Sequence, residues 1–86
     1  MMKKRERELR HKIGDALVAW RDEKGLNQVQ LSELTRGAMV TQRLSRIERG
    51  ERDVTLLDII LLQDAGFYVA DLVEIKRAQN GNNSDN

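Results

Sequence analysis

Residues 28 to 50, QVQLSELTRGAMVTQRLSRIERG, constrain the fold of this chain more than any other segment. They contain two short amphipathic patterns of helical period, joined by a turn that includes a glycine. In the second pattern, Leu44 and Ile47 mark one side, and polar or basic residues occupy the other: Thr41, Gln42, Arg43 and Arg46. A helix in the major groove of DNA needs this division, because its apolar side faces the protein and its polar side faces bases and phosphates. The segment therefore predicts a helix-turn-helix.

The net charge of +1 hides a strong division along the chain. Residues 1–12 carry six basic and two acidic groups, residues 36–52 carry five basic and two acidic groups, and residues 53–86 have a net charge of −4. Along the second of these two amphipathic patterns and the residues that follow it, every third residue is an arginine: Arg43, Arg46, Arg49 and Arg52. A locally basic region suits a surface that faces phosphates. Charge alone is equally consistent with ordinary surface solubility.

The rest of the composition excludes several classes of protein. A chain of 86 residues has room for one domain with a modest core, and it has no cysteine for disulfides or thiolate metal sites. His11 is the only histidine, and no phosphate-binding glycine loop is present, so we expect neither an enzyme nor a metal or cofactor site. No apolar run is long enough for a membrane span, and no apolar segment follows the basic start. We expect a cytoplasmic protein that does not bind membranes.

Apolar spacing predicts a first helix from about Arg7 to Lys24, with Trp20 in the core rather than on a base-stacking surface. Within it, Gly14 predicts close packing against a neighbouring helix, because glycine otherwise destabilises a helix by about 1 kcal/mol. The basic start, KKRERELRHK, is either the first turns of this helix or an arm that reaches an adjacent groove, and we favour the helix.

The second helix is predicted over about Gln28 to Thr35, with Leu31 and Leu34 pointing inward, and the third over about Thr41 to Arg49, closed by Gly50. Thr55 and Asp58 form a predicted capping box that opens a fourth helix, which ends at Gly66. That helix has too many aliphatic residues for one stripe, so we expect burial on more than one side.

A fifth element follows from Phe67 to about Arg77, and periodicity does not distinguish helix from strand there. The sequence therefore predicts one DNA-binding domain over residues 1–77 and a disordered tail over residues 78–86, where apolar residues are almost absent.

Several linked phrases resemble the Cro/cI-type repressor family, often called the XRE family. They are LNQ at Leu26 to Gln28, RIERG at Arg46 to Gly50, and GFYVADLV after the fourth helix, and the resemblance covers about Ile13 to Val73. The resemblance implies a compact all-α domain of five helices that binds double-stranded DNA, commonly as a dimer, and reads operators with its third helix.

The same resemblance implies roles for individual residues. Base contacts fall on Thr41, Gln42, Arg43 and Arg46, and phosphate contacts fall on Asn27, Gln28, Arg49 and Arg52. The chemistry agrees, because glutamine pairs with adenine and arginine with guanine, whereas backbone contacts set affinity and salt dependence. Arg43 is suited either to a base or to a phosphate. Arg21 and Glu48 match a pair that forms a salt bridge between the first and third helices in relatives, with a structural role.

One departure from the family pattern lies between the second and third helices, where TRGAMV holds two residues more than usual. Ala38 occupies the place of the usual turn glycine, and Val40 that of a Ser or Thr cap. One consequence to consider is that Thr41 caps the third helix instead, which would shift the base-contact register by one residue.

Three functions remain open at this point. The leading hypothesis is a dimeric repressor that reads a palindromic operator with half-sites about 34 Å apart. Its dimer interface would lie in the apolar C-terminal segment, at Phe67, Val69, Leu72, Val73 and Ile75. The second is an antitoxin that binds a toxin protein and regulates its own operon. The third is a helical interaction module without DNA binding, against which the arginines argue.

Overall fold

The computed structural model describes residues 2–68, with side chains from residue 3 onward. This part of the chain is all-α and has four helices: α1 at Met2–Glu23, α2 at Gln28–Leu34, α3 at Thr41–Glu48 and α4 at Leu56–Ala65. Helices α1 and α2 both pack against α3, and α4 packs against α2. Phe67 and Tyr68 follow α4 without helical structure. The rest of the predicted fifth element, residues 69–77, and the predicted tail, residues 78–86, lie outside the described residues.

Helix α1 begins at Met2, five residues earlier than predicted from apolar spacing. The basic start is therefore helical and is not an extended arm, which agrees with the favoured alternative. Gly25 follows the helix with a φ of 69°, a left-handed conformation that favours glycine. None of the four helices within residues 2–68 has the length and apolar character needed to cross a membrane.

Gly14 lets α1 approach the end of α3 closely. An ideal Cβ at this position would lie 2.5 Å from the carbonyl oxygen of Ile47 and 2.6 Å from that of Glu48. Both distances are far inside van der Waals contact, so only glycine fits without displacement of a backbone. This confirms the packing role predicted for Gly14.

The turn between α2 and α3 is built around Thr35 and Met39. The Thr35 hydroxyl donates to the carbonyl oxygen of Ser32 at 2.7 Å and accepts the N–H of Met39 at 3.1 Å. Arg36 and Gly37 have φ values of 58° and 76°, which turn the chain sharply. Met39 is completely buried, so this turn contributes a side chain to the core.

Helix α3 starts at Thr41, and its N-cap is Val40, whose side chain makes no capping hydrogen bond. The idea that Thr41 caps α3 is therefore wrong. Val40 has extended backbone angles, φ −71° and ψ 158°, which place the helix boundary one residue earlier. Thr41 is left as a half-buried residue of the first turn.

The core joins all four helices. Its fully or nearly fully buried apolar members are Leu17, Leu31, Met39, Leu44, Ile47, Leu62 and Phe67. Trp20 packs against this core, and its ring centroid lies 5.6 Å from that of Phe67 with an angle of 57° between the rings. The core position predicted for Trp20 is thus confirmed. Leu34, which was also predicted to point inward, is 47% exposed.

Helix α4 departs most from its prediction. It begins with the predicted capping box, because the Thr55 side chain accepts the N–H of Asp58 and the Asp58 side chain accepts the N–H of Thr55. However, Leu56, Leu57 and Ile60 are 73%, 62% and 46% exposed. The prediction of burial on several sides is wrong for these residues, since the described domain offers α4 a core on one side only. We call Leu56, Leu57 and Ile60 the α4 apolar face.

Candidate nucleic-acid interface

Helix α3 has one buried side and one exposed side. Leu44, Ile47 and Glu48 are buried, whereas Gln42, Arg46 and Arg49 are exposed. At about 100° per residue, the three exposed side chains share an arc opposite the buried ones. We call Gln42, Arg46 and Arg49 the exposed ridge of α3. The opposite side of this helix lies in the core.

A buried ion pair holds the C-terminal end of α3. Arg21 Nε donates to Glu48 Oε2 at 2.8 Å, and Arg21 Nη2 donates to Glu48 Oε1 at 3.1 Å. The two side chains are 15% and 6% exposed. Hydrogen bonding to Glu48 outweighs burial and raises the pKa of Arg21 above its ordinary value. This is the salt bridge between α1 and α3 that the sequence resemblance implied.

Two residues with predicted phosphate roles also have contacts inside the protein. Gln28 Nε2 donates to Glu48 Oε1 at 2.8 Å, which joins the start of α2 to the same buried carboxylate. Asn27 Oδ1 accepts the N–H of Gln30 at 2.8 Å, and Gln30 Oε1 accepts the N–H of Asn27 at 2.9 Å. Sequence reasoning missed this capping box, although its signal, an Asn followed three residues later by a Gln, is present in the sequence.

Arg43 differs from the other arginines of α3 because it faces a buried acid. Its Nη2 lies 2.8 Å from Asp58 Oδ1, and the two side chains are 31% and 1% exposed. Within residues 2–68 no donor is aligned with Asp58 Oδ1, so the contact with Arg43 is an ion pair rather than a well-oriented hydrogen bond. Asp58 Oδ2 accepts the N–H of Thr55 at 3.0 Å. One carboxylate therefore caps α4 and pairs with α3.

The charge of Asp58 is favoured in the folded state. Burial alone would raise the pKa of its carboxyl, but the Arg43 guanidinium and hydrogen bonds from Thr55 outweigh burial and lower that pKa. Removing one partner of a buried ion pair typically costs about 3 to 5 kcal/mol. A bidentate arginine–guanine contact contributes about 1 to 3 kcal/mol of discrimination. In the folded structure Arg43 is therefore paired with Asp58, whereas Gln42, Arg46 and Arg49 face solvent.

The exit from α3 is more exposed. Arg49 donates to Ser45 Oγ, and its Nε lies 3.0 Å from Glu51 Oε2, with both charged side chains more than half exposed. Hydrogen bonding to Arg49 lowers the pKa of Glu51. An exposed pair of this kind contributes little to stability, so Arg49 is available to another anion. Arg52 is half-buried in the following loop.

Comparison with known families agrees with this geometry. A family model described as helix-turn-helix matches residues 17–65, which include α2, α3, α4 and the second part of α1. The chain therefore belongs to this helix-turn-helix family, of the XRE type, whose members are DNA-binding regulators of transcription and are not normally enzymes. No curated protein and no solved structure matches the chain.

Proposed function

We propose that this protein is a cytoplasmic, sequence-specific regulator of transcription, a dimeric repressor that reads a palindromic operator through α3. One observation carries the proposal: Gln42, Arg46 and Arg49 form an exposed ridge on a helix whose opposite side is buried and held by the Glu48 ion pair. Rigid presentation of a polar ridge is what direct reading of the major groove requires.

Within this function, the residues divide by their position in the helix-turn-helix. Gln42 and Arg46 read bases, with Thr41 beside them at the start of α3. Arg49 and Arg52 contact the phosphate backbone from the exit loop, and Asn27 and Gln28 do so from the start of α2, where backbone N–H groups favour an anion. The second amide hydrogen of Gln28 remains for this contact, since only one Nε2 hydrogen bond is made to Glu48.

Binding to DNA from the region upstream of the protein's own gene tests the proposal. The purified chain is titrated with that duplex and with a scrambled duplex of equal length, from low salt to about 150 mM. A preference of about 10³-fold or more at the higher salt supports a specific regulator. Equal binding that salt abolishes, or no binding, contradicts a self-regulating repressor.

One arginine variant, and one lysine variant as its matched control, sharpen this test. Arg46→Ala should reduce the preference by about 10- to 100-fold, because a base contact is lost. Lys12→Ala removes the same charge from α1, on the side opposite Gly14 and therefore away from α3, and should leave the preference unchanged. Equal losses from both variants would indicate binding by net charge alone.

The α4 apolar face supports the proposed dimer. Leu56, Leu57 and Ile60 share one arc of about 100° on α4, and Tyr68 is also exposed, at 52%. Phe67, predicted to lie in the interface, is buried against Trp20 and is not available to a second copy in this conformation. The other predicted interface residues, Val69, Leu72, Val73 and Ile75, lie outside the described part of the chain.

Molar mass in solution tests the proposed dimer directly. Light scattering on the purified chain should give twice the chain mass, and Leu57→Asp should lower it, whereas Val29→Asp, at an exposed apolar position of α2, should not. A monomeric chain would instead leave the α4 apolar face for another protein, which favours an antitoxin that binds a toxin.

A further inference from the structure

The position of Arg43 on α3 separates it from the exposed ridge. Gln42, Arg46 and Arg49 are exposed, whereas Arg43 is only partly exposed and lies on the flank beside the start of α4. Its nearest charged neighbour is Asp58, 15 residues later in the chain, at 2.8 Å. Sequence position alone would place Arg43 among the base-reading residues.

Asp58 is itself fixed in place by burial and a hydrogen bond. It lies in the first turn of α4, is almost completely buried and accepts the N–H of Thr55 through Oδ2, which fixes the carboxylate relative to the helix. The other carboxylate oxygen, Oδ1, faces Arg43. If Arg43 left for a base, that buried oxygen would lose the cation with which it pairs, which a low-dielectric environment disfavours strongly.

We propose that Asp58 is a positioning residue that holds Arg43 away from bases, so that Gln42 and Arg46 carry the sequence preference of α3. This inference rests on the proposed function. The pair also cancels the charge of Arg43 towards phosphates, so Arg43 contributes little to the salt dependence of binding. Asp58 thereby shapes recognition without contacting DNA.

The main test selects preferred duplexes from a random-sequence pool with the wild-type chain and then compares two variants. Arg43→Gln combined with Asp58→Asn removes both charges. The amide introduced at position 58 can still accept the Thr55 N–H, and it can pair with the amide introduced at position 43. Arg46→Gln makes the same change on the exposed ridge. We expect the double variant to keep the selected preference within about 3-fold, whereas Arg46→Gln should lose about 10- to 100-fold.

The opposite ranking would overturn the inference: loss of preference in the double variant and retention in Arg46→Gln. Circular dichroism and thermal unfolding confirm that each variant is folded before binding is compared. Failure of the proposed function would give a different result. The wild-type chain itself would then select no preferred duplex, so there would be no sequence preference to compare between variants.

The single variant Asp58→Asn provides a second measurement. It releases Arg43 from its ion pair, so one more cation becomes available to phosphates. The slope of log affinity against log salt concentration for a non-specific duplex should become steeper by about 0.9. In the double variant, Arg43→Gln with Asp58→Asn, the slope should return to the wild-type value. An unchanged slope in folded Asp58→Asn would show that Arg43 was free already and would contradict the inference.

Discussion

The two ends of α3 are held by similar means with different consequences. At its C-terminal end, the buried Glu48 pairs with Arg21 from α1 and accepts a further hydrogen bond from Gln28. Near its N-terminal end, the buried Asp58 of α4 pairs with Arg43 of α3 itself. The first pair uses an arginine from the scaffold and leaves the exposed ridge intact, whereas the second withdraws an arginine from it. A buried carboxylate can thus shape a nucleic-acid interface by fixing its helix or by occupying one of its cations.

The largest effect should come from the C-terminal pair. Glu48→Ala leaves Arg21 half-buried without its bidentate partner and breaks the contact to Gln28, so we expect a loss of about 3 to 5 kcal/mol in the free energy of unfolding. Chemical denaturation measures it. Glu51→Ala, which removes an exposed carboxylate three residues later, should change stability by less than about 0.5 kcal/mol. Similar losses in the two variants would show that the Glu48 pair is not a special anchor.

A smaller loss should follow from filling the contact between α1 and α3. Gly14→Ala places a Cβ about 2.5 Å from the Ile47 carbonyl oxygen, so the helices must move apart. We expect a destabilisation of about 1 to 3 kcal/mol despite the better helix propensity of alanine. Asp15→Ala at the adjacent exposed position serves as the control in thermal unfolding. A more stable Gly14→Ala variant would contradict the close approach.

The start of α2 should show a still smaller effect. Asn27→Ala removes the side chain that accepts the Gln30 N–H, so we expect a loss of about 1 kcal/mol. Asn27→Ser keeps a capping oxygen and should retain most of the stability. If both variants lose the same amount, the side-chain oxygen is not the stabilising group.

The pH dependence of the free energy of unfolding tests the contribution of the Asp58–Arg43 pair. Because Asp58 has a lowered pKa when folded, the unfolded chain binds its proton more readily. The stabilisation is fully present above the ordinary Asp pKa of about 3.9 and is lost as pH falls through the lower folded value. Free energies of unfolding from about pH 6 to pH 3 should therefore fall more steeply in the wild type than in Asp58→Asn. Parallel curves would contradict a lowered pKa of Asp58 in the folded state.

Local patterns in the sequence predicted much of this architecture. The capping box at Thr55 and Asp58, the ends of the helices at Gly25, Gly50 and Gly66, and the need for close packing at Gly14 all depend on neighbours in the chain or on the absence of a Cβ. These features were predictable because their physical causes are local. The Arg21–Glu48 pair followed from family resemblance rather than from spacing.

Other features depend on how helices are rotated against one another. The exposure of the α4 apolar face follows from which side of α4 meets the core, and aliphatic content does not specify that side. The pairing of Arg43 with Asp58 joins two helices across a loop, and no local pattern indicates it. Met39 lies in the core because the turn folds inward around Thr35, a result of backbone conformation rather than of periodicity.

The most direct test of the account is a map of the DNA-contacting surface by NMR. Titration of the ¹⁵N-labelled chain with a preferred duplex should shift the amide and arginine side-chain signals of Gln42, Arg46 and Arg49 and the amides at the start of α2. The side-chain signals of Arg21 and Arg43 should change least. Shifts confined to the α4 apolar face, or spread evenly over all basic residues, would contradict recognition through the exposed ridge of α3.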